Sequence, residues 1–366
     1  MKDCIRVIAL YLPQFHPTRD NDKWWGKGFT EWTNVGKAKP LFHGHYQPRV
    51  PADLGYYDLR LSEVREAQVE LANEAGIFGF CYYHYWFGYG ERQLELPFNE
   101  VLKLGKPDFP FCLCWANESW YSKLWNKDGV SSKKLLIEQK YGDKNEWRMH
   151  FMTLLPAFKD KRYIRINNKP LFMIYKEEDF IEVSDFIKYW NELAIENGLD
   201  GVYFVAHKFC NMDDNAVDSI RHKGFNAINY MELWTSRSKK KPFVRKVLDR
   251  INSYLWGIPN KCNYKDVYPD FISDVDKRND VFPTIIPNWD HSPRSGKNAY
   301  ILTNSTPELF RKHIRQVLDV VSDKTTDEKI VFLKSWNEWG EGNYMEPDLK
   351  YGKRYILTLK EELNNK

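Results

Sequence analysis

The feature that most restricts the fold of this 366-residue chain is a series of eight short apolar runs separated by helical patterns. The runs fall at residues 5–12, 77–87, 109–115, 171–175, 202–206, 225–230, 281–286 and 330–333. Each is continuous and does not alternate with polar residues, as expected for strands of a parallel sheet covered on both faces. Between them, apolar residues recur at helical spacing. Leu61, Val64, Leu71, Ala72 and Ala75 form one such face, stopped by Gly76. Trp147, Phe151, Leu154, Leu155 and Phe158 form another, and Phe186, Trp190, Leu193 and Ala194 a third, stopped by Gly198. Thr306 and Pro307 have the chemistry of an N-cap and a first helical residue ahead of Phe310, Ile314, Val317, Leu318 and Val321. Weaker helices are expected at 94–104, 216–222 and 267–275, and from Tyr351 onward. Eight strands alternating with helices predict an α/β chain folded as a (β/α)8 TIM barrel. The rival, a doubly wound open sheet, calls for a glycine-rich phosphate loop after an early strand, and no such loop is present. One domain spanning 1–366 is expected, with a loop excursion at 13–60 and a basic insertion at 236–262.

In a barrel of this kind the chemistry sits at the C-terminal ends of the strands. Polar and aromatic residues collect there. Tyr11 and His16 follow the first run, and Tyr83, His84, Tyr85 and Trp86 end the second. Trp115, Asn117 and Glu118 close the third, His207 the fifth and Tyr230 the sixth. Asp290 follows the seventh, and Trp336, Asn337, Glu338, Trp339 and Glu341 follow the eighth. Segments that lead from a helix into the next strand show no comparable enrichment. These residues are candidates for substrate contact, and for each aromatic the competing role is core packing. The chain carries 14 Trp and 22 Tyr, side chains whose apolar faces suit sugar rings as well as cores.

Glu338 and Glu341 lie three residues apart in Trp336-Asn337-Glu338-Trp339-Gly340-Glu341-Gly342. A solvated surface loop could hold two acids, but such a loop does not usually leave two tryptophans in water. Two carboxyls in one cleft push their pKa values apart. One can then donate a proton while the other acts as nucleophile or base, the requirement for glycosidic bond chemistry. Glu118 and Asp290 are reserve carboxylates.

Other readings are weaker. Lys plus Arg number 54 against 50 Asp plus Glu, a balance that gives no case for nucleic acid as a partner. The six cysteines follow neither a disulfide framework nor a zinc spacing, and no metal or other cofactor is expected. His43-Gly44-His45 has no third ligand anchored beside it. The N-terminal apolar run is broken by Arg6 and ends at Pro13, which reads as a strand and not a signal peptide, so a cytoplasmic protein is expected. The basic run at 237–246 is a solvated insertion or a peripheral contact with an anionic membrane surface. Asp274-Val275-Asp276 has the letters of a nucleotide-sugar metal motif but falls in an expected helix.

Five motifs then carry a family resemblance. They are Tyr11-Leu12-Pro13-Gln14-Phe15-His16-Pro17, Gly28-Phe29-Thr30-Glu31-Trp32, Gly79-Phe80-Cys81-Tyr82-Tyr83-His84-Tyr85-Trp86, Cys114-Trp115-Ala116-Asn117-Glu118 and the stretch 336–342. With these the chain resembles the WbsX family, bacterial proteins associated with surface polysaccharide clusters and described as glycosyltransferases. That family is in turn similar to the endo-α-mannosidases, retaining glycosidases on a (β/α)8 barrel with a similar Asn-Glu-Trp-x-Glu-Gly stretch. The resemblance implies that Glu341 is the general acid/base. It implies that Glu338 assists displacement by deprotonating the sugar 2-hydroxyl. The mannosidases have His where this chain has Gly340. Three functions follow as expectations: a retaining glycosidase or transglycosylase on an oligo- or polysaccharide, a transferase using an activated sugar donor in O-antigen or capsule biosynthesis, and a glycan-binding barrel without catalysis.

Overall fold

A computed structural model describes residues 5–125, 131–209, 212–233, 256–325 and 329–365. Eight parallel strands close into a barrel: β1 (Arg6–Tyr11), β2 (Gly79–Gly88), β3 (Phe111–Trp115), β4 (Lys169–Ile174), β5 (Tyr203–Phe209), β6 (Ala227–Met231), β7 (Val281–Ile285) and β8 (Ile330–Leu333). Each strand pairs with the next, and β8 returns to β1 through Arg6↔Ile330 to Ala9↔Leu333. The eight apolar runs are these eight strands, and the fold is a (β/α)8 TIM barrel.

The helical layer follows the expected faces: α1 (Ser62–Ala75), α2 (Leu96–Leu104), α3 (Lys144–Phe158), α4 (Val183–Glu196), α5 (Asp214–His222), α6 (Pro307–Ser322) and α7 (Arg354–Asn364). In α6 the Thr306 hydroxyl accepts from the Leu309 amide at 3.3 Å, and Pro307 occupies the first turn. Phe310, Ile314, Val317, Leu318 and Val321 are fully buried, each worth roughly 1.5–3 kcal/mol of apolar burial. Gly76 takes the left-handed conformation (φ 79°) that ends α1.

Two expectations change in detail. The third strand starts at Phe111 and not at 109, because Pro110 has no N–H for the ladder; its carbonyl accepts from the Phe80 amide at 3.0 Å. The helix expected at 267–275 is broken around Pro269 into a turn at Tyr264–Val267 and two 3-10 segments, Tyr268–Asp270 and Asp274–Lys277. Among the described residues no long helix stands between β6 and β7. The basic run at 237–246 lies outside the described residues, as does most of the 236–262 insertion; its end forms a strand, Asn260–Asn263, parallel to Tyr300–Thr303. The 13–60 excursion carries short helices at Arg19–Trp25 and Glu31–Lys37. The segment after β3 is an antiparallel hairpin of Trp120–Trp125 with Ser131–Ile137. No helix among the described residues is long and apolar enough to cross a membrane.

Candidate active site at the end of the eighth strand

Beyond β8 the chain folds back on itself. Asn337–Glu338 pairs antiparallel with Asn343–Tyr344, a 3-10 turn spans Trp339–Glu341, and Gly342 (φ 52°) closes it. Side-chain amides fasten this loop to the barrel. Asn337 accepts from the Leu12 amide at 2.7 Å and donates to the Leu12 carbonyl at 3.0 Å, which ties the loop to the exit of β1. Asn343 donates to the carbonyls of Lys334 at 2.7 Å and Asn288 at 2.6 Å. The Asp290 amide donates to the Glu341 carbonyl at 2.6 Å. Both ends of the carboxylate pair are therefore fixed to neighbouring strands.

The two acids enter one cavity of about 360 Å³, walled by Tyr83, Tyr85 and Tyr175, with Trp25 and Trp120 at its sides. Glu338 contacts the Lys334 ammonium, which also donates to the Tyr83 hydroxyl at 2.7 Å. Burial pushes the Glu338 carboxyl up; the Lys334 charge opposes this without reversing it, and Glu341 adds to it. Glu341 accepts from Arg294 Nη1 at 2.7 Å, and His291 Nε2 lies 3.8 Å away. Burial pushes the Glu341 carboxyl up as well, but Arg294, Lys334 and His291 outweigh it and hold the group at about 2. The pair is thus split, with Glu341 the ionised member.

Arg294 is shared. Its Nε donates to Glu31 Oε1 at 2.8 Å, so one guanidinium bridges Glu31 and Glu341. Glu31 is buried in the first turn of its helix and rests against the backbone of Gly340. An ideal Cβ at Gly340 would overlap the Glu31 carboxylate and lie 3.0 Å from Arg294 Nε. Glycine at 340 is what lets Glu31 reach Arg294.

Of the sequence candidates, Glu338, Glu341, Tyr83, Tyr85 and Glu118 line this cavity, with Glu118 paired to Lys176 at 3.1 Å. The others take structural positions outside it. His84 and Trp86 occupy the opposite face of β2 from Tyr83 and Tyr85 and pack on α3. His84 Nε2 meets His150 Nε2 at 2.8 Å, and the Trp86 indole donates to Glu146 at 2.5 Å. Burial holds the His84 ring at about 3. Trp115 packs on His150 and Phe186 and donates to the Trp86 carbonyl at 2.9 Å. Tyr11 donates to Gln68 at 2.7 Å inside the core, and His16 bonds the Pro13 carbonyl at 3.0 Å. Asn117 clamps the Lys176 backbone at 2.7 and 2.8 Å. His207 pairs with Asn229 at 2.6 Å within the barrel, and Tyr230 bonds Glu232. Trp336 is fully buried against Phe80, and Trp339 stacks on Tyr344 at 3.8 Å while donating to Glu346 at 2.7 Å. Asp290 is held at about 2: burial pushes it up, but the hydrogen bond from His45 at 2.8 Å, the Arg49 charge and Ser292 prevail; Gln47 also donates to it at 2.8 Å. The Asp274-Val275-Asp276 carboxylates are committed locally, Asp274 to Lys277 at 2.6 Å and Asp276 to the Ser273 amide at 2.8 Å.

Several cavity residues were not singled out as contacts in the sequence: Asn21, Tyr175, Arg294 and Lys334. Asn21 is distinctive. It is 1% exposed, lines the cavity, and neither its side-chain nitrogen nor its side-chain oxygen has a hydrogen-bond partner among the described residues. Tyr85 shares a face of β2 with Tyr83, as strand period requires. Asn21 and Arg294 come from loops that approach the acids only in space.

A closed barrel with a split carboxylate pair in an aromatic-walled cavity at its C-terminal mouth has the parts that glycosidic bond chemistry requires. The chain belongs to the WbsX glycosyltransferase family, whose model (Glycosyltransferase WbsX) matches residues 7–359. It is 32% identical over 359 residues to WxcX of Xanthomonas campestris pv. campestris, a protein described as uncharacterized; the match takes in 98% of this chain and 49% of the relative. The chain therefore spans about half the length of the curated relatives it matches. Among solved structures, a GH99 endo-alpha-mannosidase from Bacteroides thetaiotaomicron superposes with a TM-score of 0.57 at 13% identity, covering 100% of this chain and 98% of the other. A glycoside hydrolase-like protein superposes at 0.59 and 15% identity, covering 98% and 94%. At these identities the superpositions establish the fold.

Proposed function

We propose that this chain acts on a glycosidic bond with retention of configuration, in bacterial surface polysaccharide metabolism, with Glu338 and Glu341 as the catalytic pair. The observation that carries the reading is the pair itself: two carboxyls on one fixed loop, facing one cavity, with pKa values driven in opposite directions. Tyr83, Tyr85 and Tyr175 offer ring faces and hydroxyls to a sugar, and Asn21 offers a side-chain amide that is unpaired among the described residues. In the hydrolytic or transglycosylating form, Glu341 protonates the leaving oxygen and later deprotonates the incoming water or hydroxyl. Glu338 takes the proton of the sugar 2-hydroxyl, whose oxygen bonds to the anomeric carbon as the leaving oxygen departs, and returns that proton when water or a hydroxyl opens the anhydrosugar. Glu341 must then exchange its contact with Arg294 for a proton as substrate enters. The buried free thiols of Cys81, Cys112 and Cys114 agree with work in a reducing, cytoplasmic setting.

One observation favours a second form, transfer from an activated donor. Arg294 leaves Glu341 ionised and ready to act as a base. A phosphate leaving group needs no protonation, so a base that activates the acceptor hydroxyl suffices. Product analysis separates the forms. The protein is incubated with a glycan panel, with and without nucleotide sugars. Chains shortened without any donor mark the glycosidase, and chains lengthened only with a donor mark the transferase. A panel left unchanged under both conditions contradicts both.

A further inference from the structure

A second, larger cavity of about 610 Å³ lies beside the first and shares no wall residue with it. Its volume is within the range of about 300–1,000 Å³ usual for small-molecule sites. It is built from the 42–49 loop, the strands Asn260–Asn263 and Tyr300–Thr303, and the 348–355 segment. Its wall includes the aromatic side chains of Phe42, Tyr46, Tyr351 and Tyr355, set among amides and hydroxyls such as Asn263 and Thr303. Lys350 Nζ stands 4.6 Å from the Tyr46 ring centroid and 5.0 Å from that of Tyr351. The charged wall residues balance: Arg49, Lys261 and Lys350 face Asp266, Asp290 and Asp348. Arg49, 7% exposed, and Tyr355, 6% exposed, carry polar atoms, Nε and the hydroxyl, that have no hydrogen-bond partner among the described residues.

We propose that this cavity is a second saccharide-binding site that takes a neutral, polyhydroxylated sugar unit. The balanced charge offers no net attraction to an anion. The mixture of aromatic edges with amide, hydroxyl and ammonium donors matches a ligand that presents CH faces and many hydroxyls. The site also backs onto the catalytic loop. Arg49 Nη1 donates to the Gly342 carbonyl at 3.0 Å, and the Asp290 amide holds the Glu341 carbonyl at 2.6 Å. An ideal Cβ at Gly342 would lie 2.6 Å from Asp290 Cβ and 3.0 Å from Arg49 Cζ, so this wall and the loop after Glu341 are in direct contact. A sugar seated here rests on the wall that positions Glu341. The inference relies on the carbohydrate-active reading above.

The test titrates the whole chain with methyl α-mannopyranoside, methyl α-glucopyranoside and inorganic phosphate, followed by saturation-transfer NMR. Three variants are compared: Ser305→Trp, which fills the second cavity; Lys350→Ala, which removes its ammonium; and Tyr85→Ala, which strips the first cavity. The expected result is glycoside binding that survives Tyr85→Ala and weakens by about tenfold or more in Ser305→Trp. Lys350→Ala weakens it in the same direction and serves as the deciding variant if Ser305→Trp does not fold. Glycoside binding that responds only to Tyr85→Ala overturns the second site and leaves the first intact. Phosphate binding at the second cavity without glycoside binding overturns the ligand class. Absence of glycoside binding at either cavity overturns this inference together with the reading it rests on.

Discussion

Glu338 and Glu341 sit on the same loop and each touches one cation, yet their carboxyls move in opposite directions. Glu338 is enclosed, with a side chain 6% exposed and Lys334 as its ion-pair partner. Burial dominates there, and the carboxyl rises. Glu341 is more open at 16%, and Arg294 beside it is supported by the farther charges of Lys334 and His291. There the cations dominate, and the carboxyl falls to about 2. Sequence proximity thus says little about protonation. What separates the two acids is the number of cations that reach each one against the water each has lost.

The largest effect expected from disturbing this contrast is at Lys334. Lys334→Met leaves a buried carboxyl without its ion pair and should cost about 3–5 kcal/mol. The Glu338 carboxyl, already raised, rises further, so the penalty is smallest at acid pH and grows as pH rises through the folded-state value. Urea unfolding at several pH values reads both quantities. A loss that does not vary with pH would detach Glu338 from the effect.

Arg294→Met tests the other acid. Without the guanidinium, burial is the largest remaining influence, and the Glu341 carboxyl should climb from about 2 toward or above the usual carboxylate range. The pH–rate limb governed by Glu341 should move to higher pH: the alkaline limb where Glu341 acts as the acid, the acid limb where it acts as the base. A pH–rate profile identical in shape to that of the parent would show that Arg294 does not set the state of Glu341.

The smallest effect concerns the support of Arg294. Gly340→Ala should drive Glu31 off Arg294, the same loss that Glu31→Ala produces. The two substitutions together should therefore cost less than the sum of each alone, with a coupling of about 1 kcal/mol in stability or in log turnover. Strict additivity would mean that Gly340 serves some purpose other than admitting Glu31.

The sequence made the barrel readable because buried parallel strands appear as unbroken apolar runs, and all eight were visible. It made Glu338 and Glu341 readable because they follow the eighth run directly. It did not sort the faces of β2. Tyr83 and Tyr85 turn to the cavity while His84 and Trp86 turn to α3, and a run of aromatics on both faces hides that alternation. Trp336 and Trp339 flank the first acid in sequence but are core residues, Trp339 held by Glu346 through its indole. Arg294 and Glu31 are separated by 263 positions, and no local pattern announces their contact. Gly340 was visible as a departure from the mannosidase stretch, but its meaning depends on a carboxylate that arrives from the first excursion.

The most direct test of the account is the turnover and glycan binding of Glu341→Gln, measured on whichever substrate the product analysis identifies. The account predicts a loss of turnover of about a thousandfold with binding largely retained, because the amide keeps the shape of the side chain and loses its proton exchange. Turnover close to that of the parent protein would contradict it.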